Sequence, residues 1–118
     1  MSFVLFILAF ILVVCSSFIG IIGTIIKSVI YWNQGILNTY FFKLAISLDQ
    51  FGNVCCGPLL NYILISKESK HKFGDPDETI SSVLGKNKKN DTLIYWGLRL
   101  DALLDGLDEN HSINSIEN

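Results

Sequence analysis

The run Ser2–Ile26, SFVLFILAFILVVCSSFIGIIGTII, holds no charged side chain over 25 residues. As a helix it would extend roughly 37 Å, enough to cross a hydrocarbon core of about 30 Å with some tilt. A soluble core helix of that length would need protein on every side. A chain of 118 residues, sufficient for one small domain at most, cannot supply it. A cleaved signal peptide is the rival reading. Against it, no basic residue precedes the run, the run is too long for an h-region, and no A-x-A-like exit follows. The expectation is therefore a retained transmembrane helix, with the bilayer as its first partner.

Charge sets the expected orientation. All eight lysines, from Lys27 to Lys89, lie on the C-terminal side of the run. The positive-inside rule then puts the N-terminus outside and the C-terminus in the cytoplasm. Tyr31 and Trp32 fall where an interfacial aromatic pair would sit. Residues 27–89 carry eight lysines against five acids, whereas residues 90–118 carry Arg99 against six. Anionic headgroups would attract the first segment and repel the second, leaving the end projecting into the cytoplasm. Cys15 lies in the span, and adjacent Cys55 and Cys56 could close a ring only with strain, so three free thiols are expected. The vicinal pair lacks further ligands at zinc-like spacing. Net acidity, with lysines not interleaved with aromatics, argues against nucleic acid as a partner.

Three segments are expected: a transmembrane helix and interfacial anchor over 1–32, membrane-proximal helices over 33–66, and a polar linker with a cytoplasmic helical tail over 67–118. In the first, Ser16, Gly20 and Thr24 recur every four residues with Gly23 beside them, a stripe on which two helices could associate. In the second, Leu37, Tyr40, Phe41, Leu44 and Leu48 predict an amphipathic helix over 36–48 that could lie in the headgroup plane. The next apolar run, FGNVCCGPLLNYILIS, is interrupted by Gly52, Asn53, Gly57 and Pro58. Pro58 suits the first turn of a separate helix running to about Lys67. A core-packed or interfacial helix is the plainer reading of this run and a re-entrant hairpin the sharper one.

In the third segment FGDPDETISSVLGKN is the most densely specified stretch. Asp75 can cap a helix, Pro76 suits its first position, Glu78 completes a capping box, and Gly85 followed by lysines makes a natural end. Ile80, Val83 and Leu84 would form its apolar face. A metal held by Asp75, Asp77 and Glu78 is the weaker reading, because the calcium-loop pattern is missing. Three carboxylates at a helix start would repel a phosphate, and Gly85-Lys86 lacks the rest of a P-loop. A further helix is expected from Asn90 or Asp91 to about Leu107, with Asp101, Asp105 and Asp108 on a solvated strip. His71 reads as exposed in the linker, and His111 has no evident acid–base partner. No Ser-His-Asp, Cys-His or HExxH arrangement is visible in the sequence, so no catalytic, cofactor or metal residue is assigned.

The strings AISLDQFGN, NYILI, FGDPDETISSVLGKN and LDALLDGLDENHSINSIE together resemble a family of small membrane-anchored proteins of tailed bacteriophages and prophages, over about residues 40–117. The resemblance implies a basic or cysteine-containing segment around the final stretch, which here reads HSINSIEN. The resemblance brings no activity with it. It implies a phage origin and a bacterial inner membrane, and makes Asp49, Gln50, Gly52, Asn53, Asp75, Pro76, Asp77, Glu78 and His111 part of a family pattern. The fold expected is mainly α, a single transmembrane helix followed by a small helical cytoplasmic part with a membrane-apposed amphipathic helix. The function expected is interaction with a host or phage protein at the membrane, in host takeover, exclusion or lysis control. A holin-like pore former is the first alternative, and a membrane-bound enzyme using acidic residues and His111 the second.

Overall fold

A computed structural model describes residues 1–117. The chain is mainly helical: α1 (Ser2–Tyr31), α2 (Gln34–Ile63), α3 (Ile80–Lys89), α4 (Tyr95–Leu107) and α5 (His111–Asn114). It divides into two compact units, Met1–Lys43 and the residues from Leu44 onward.

In the first unit, α1 is 30 residues long and buries none of them. Its apolar side chains stand exposed around the whole circumference, Leu12 at 72% and Ile19 at 76% among them. A helix apolar all round is one whose surroundings are themselves apolar, and α1 is long and apolar enough to cross a membrane. It ends at Trp32 in the left-handed conformation, where the Trp32 and Asn33 amides satisfy the Val29 and Ser28 carbonyls. Asn33 Oδ1 then accepts from the Gly35 amide at 3.0 Å and starts α2. The segment 36–48 is helical, as its spacing requires, but its Tyr40 turns toward α1. A Cβ on Gly20 would stand 3.6 Å from the Tyr40 hydroxyl. Of the rest of the small-residue stripe, Ser16 and Thr24 bond to carbonyls of their own helix, Val13 and Gly20, and Gly23 has open space beside it.

In the second unit, the core is built from Leu64, Ile65, Phe73, Val83 and Leu84, with Leu60, Ile63, Ile80, Leu93, Leu100 and Leu104 packed against it. Ile65 pairs with Leu93 in an isolated antiparallel bridge, closed by Ser66 N–H to the Thr92 carbonyl at 2.9 Å and Ile94 N–H to that of Leu64 at 3.0 Å. Among the described residues this is the extent of the β structure. Two glycines allow helices to touch backbone: a methyl on Gly97 would overlap the Leu64 carbonyl, and one on Gly85 the Ser112 carbonyl.

Five expectations are corrected here. The separate helices foreseen on either side of Gly57 are one helix, α2, with Pro58 inside it. The helix at 75–85 begins later, with Thr79 as its cap, and runs through Gly85 to Lys89. Gly85 marks the crossing with α5 and is no terminus. The expected start of α4 at Asn90 or Asp91 moves to Tyr95, because the bridge strand occupies the residues before it. The polar linker, SKESKHKFGDPDE over 66–78, is an ordered loop that buries Ser69 and Phe73. His71, expected to be exposed, is half-buried there.

Candidate functional site

On one side α2 presents Asp49, Asn53, Gly57 and Asn61, a spacing of four that places them along one face. The segment 73–81 runs along this face in the opposite direction. Asn61 pairs with Phe73 as a strand would, donating to its carbonyl at 3.0 Å and accepting from its amide at 2.7 Å. Gly57 lets the Gly74 backbone approach: a Cβ there would lie 2.9 Å from the Gly74 Cα. Asn53, wholly buried, accepts from the Gly74 amide at 3.0 Å and donates to the carbonyls of Asp75 at 3.0 Å and Glu78 at 2.8 Å. Asp49 receives the first amide of α3, Ile80 N–H, at 2.8 Å. A side chain from another helix thus meets the positive end of α3, while Thr79 Oγ1 accepts from the Ser82 amide.

The nine residues that the resemblance singled out gather at this corner. Gln50 donates to the Asp77 carbonyl at 3.3 Å, and Gly52 leaves room for Ile80. Asp75 Oδ1 accepts from the Asp77 amide at 2.9 Å and Pro76 lies between them, so DPDE is a turn preceding the helix. Glu78 accepts from Ser82 Oγ at 3.1 Å and pairs with Lys86, which draws it along α3 and away from Asp75 and Asp77. Among the described residues no three His, Cys, Asp or Glu side chains converge as a metal centre would.

The same corner brings Ser81, His111 and Asp108 together, a combination with no mark in the linear sequence. Ser81 Oγ lies 3.3 Å from His111 Nε2, and His111 Nδ1 lies 3.0 Å from Asp108 Oδ2. That is the order nucleophile, base, orienter. Two features weigh against activation. Ser81 is only 8% exposed, and its hydroxyl donates to Asp49 Oδ2 at 3.0 Å. A base at His111 would need the proton that Asp49 already engages.

The aspartate strip foreseen as solvated is solvated only in part. Asp101, 6% exposed, accepts from Ser112 Oγ and lies 2.8 Å from Lys88 Nζ, which reaches Asp105 at the same distance. The hydrogen bond to Asp101, then that to Asp105, holds the Lys88 ammonium above the ordinary lysine pKa. Asp108 alone of the three remains exposed. Asn87 forms a second polar knot, wholly buried. It accepts from Ser69 and from Thr92 Oγ1 and donates to the His71 and Val83 carbonyls at 2.8 and 2.9 Å.

The sequence reading missed Asn61, Thr79, Ser81, Asn87, Ser112 and Glu117, whose amide donates to Ser82 Oγ at 2.7 Å. One signal was there to be read: polar or small residues every four positions through an otherwise apolar helix. No protein-family model, curated protein or solved structure matches this chain.

Proposed function

We propose that this chain is a phage-encoded accessory protein of the bacterial inner membrane that acts by binding other proteins or the bilayer, with its N-terminus outside and its C-terminus in the cytoplasm. One observation carries the membrane part of the reading: α1 offers apolar side chains on every side and buries none of them. The polar residues of the second unit support it, because most are spent on holding backbone. Asn53 and Asn61 bond to main-chain groups and Asn87 to two carbonyls and two hydroxyls, which builds a scaffold and leaves little free for chemistry. An affinity-tagged full chain, solubilised in detergent from producing cells, should bring down a host or phage partner in stoichiometric yield. Recovery of the chain alone, monomeric, together with its release from producing-cell membranes by an alkaline carbonate wash, would overturn the proposal.

The enzyme alternative rests on Ser81, His111 and Asp108 and belongs to acyl transfer by class. A fluorophosphonate probe that labels the reconstituted protein at Ser81, and fails with His111→Ala, would favour it over the interaction reading. The holin-like alternative rests on the small-residue stripe, which Tyr40 already covers at Gly20. Cells that keep their membrane potential while producing the protein would eliminate it.

A further inference from the structure

The second unit leaves a seam of apolar and aromatic side chains where the end of α2 meets the start of α4. Tyr62 is 78% exposed and Trp96 61%, and Leu59, Ile94, Tyr95 and Leu98 are exposed as well. Two grooves flank the seam. One is lined by Pro58, Tyr62, Ile65 and Ile94 together with Lys67 and Lys72, and the other by Leu60, Ile63, Trp96 and Leu103 with Arg99. Among the described residues three cations border these grooves and no carboxylate does. The bias extends to the surrounding chain. Residues 58–72 and 92–99 carry Lys67, Lys70, Lys72 and Arg99 against Glu68 alone, in a protein whose net charge is −2. Arg99 also lies over the Tyr95 ring, 5.2 Å from its centroid, which keeps the guanidinium at the edge of the aromatic patch.

We infer that this seam is a docking surface for an anionic phospholipid bilayer, with Tyr62, Tyr95 and Trp96 at headgroup depth and Lys67, Lys72 and Arg99 on the phosphates. Aromatic side chains with one polar end favour that depth. Each cation near a negatively charged leaflet adds to the attraction. A soluble partner protein would find the same apolar area, but the absence of acids from both grooves matches a surface that is negative everywhere and requires no register. The inference rests on the membrane reading of α1, which tethers the seam to the bilayer and so raises its local concentration there.

The test uses the full chain with Trp32→Phe, which leaves Trp96 as its single tryptophan. The protein is reconstituted into vesicles whose acyl chains are brominated near the headgroup, either with phosphatidylglycerol or of phosphatidylcholine alone. Trp96 emission is expected to be quenched in the phosphatidylglycerol vesicles and to recover in phosphatidylcholine. Replacing Lys67, Lys72 and Arg99 by Gln should weaken the quenching equilibrium by roughly fivefold per cation removed. Unquenched emission in anionic vesicles overturns the inference. Quenching of equal depth in phosphatidylcholine overturns the headgroup assignment. A blue shift without quenching that grows with the protein-to-lipid ratio means that a second copy covers the seam, which also overturns it. An alkaline carbonate wash separates the two levels. Protein released to the supernatant means that α1 does not anchor, whereas protein retained with Trp96 unquenched means that only the docking surface has failed. Circular dichroism of each variant confirms that its helices remain.

Discussion

Asn53 illustrates what a single side chain does in this fold. It is wholly buried, and its amide satisfies three backbone groups of one loop at distances from 2.8 to 3.0 Å. Leaving a buried donor or acceptor without a partner costs about 1–3 kcal/mol for each group. Asn53→Ala should therefore lower the denaturation midpoint, with a loss of about 3 kcal/mol or more. Asn53→Asp keeps nearly the same shape but lacks the two donated bonds, and should be no better tolerated. Gly85 works by absence, since any Cβ would meet the Ser112 carbonyl of α5. Gly85→Ala should cost about 1–3 kcal/mol by overpacking, in spite of alanine's better helix propensity, and thermal melting will show the sign. Lys88 ties the chain to pH. Its folded pKa is raised by Asp101 and Asp105, so the unfolded chain loses its proton first as pH rises. The contribution is complete below about pH 10.4 and is lost as pH climbs through the higher folded value. Urea midpoints measured from about pH 8 to 11.5 should fall at the alkaline end for the native chain and flatten for Lys88→Met.

At the scale of elements, the helices were legible where an apolar period ran unbroken. The uncharged run became α1, and Ile80, Val83 and Leu84 became the inner side of α3, with Val83 and Leu84 wholly buried. Interruptions were where the sequence misled. Gly52, Asn53, Gly57 and Pro58 read as breaks, yet three of them are places where another segment comes close to α2. Proline inside a helix removes one donor and crowds the preceding turn, so a local pattern cannot reveal that tertiary contacts hold the helix through it. Asp75 looked like a cap because its type and spacing fit. Thr79 fits too, and the winner is decided by where Asp49 and Asn53 grip the loop. Thr79→Ala should accordingly cost about 1 kcal/mol at the α3 end, while Asp75→Ala disturbs only the turn around Asp77. Amide exchange of Ser82, faster in the first variant and unchanged in the second, checks the assignment.

Over the whole molecule the two units differ in what they bury. The first has no buried side chain along α1 and draws its order from whatever surrounds it, whereas the second has its own core. In detergent micelles, increasing denaturant should unfold the second unit in one transition while helicity from α1 persists. Far-ultraviolet dichroism would show a plateau well above zero, and a single transition to full loss would contradict the division. The residues that the resemblance singled out are largely consumed in joining α2 to the loop and α3. The four-residue spacing of Asp49, Asn53, Gly57 and Asn61 has a consequence for how this chain tolerates change. The helix and the loop are geared like a rack and pinion, and one deleted residue between Asp49 and Asn61 swings the teeth beyond it through about 100°. Length changes there should survive only when they restore the phase, so relatives that diverge freely in composition would still keep this interval in whole steps of the gear.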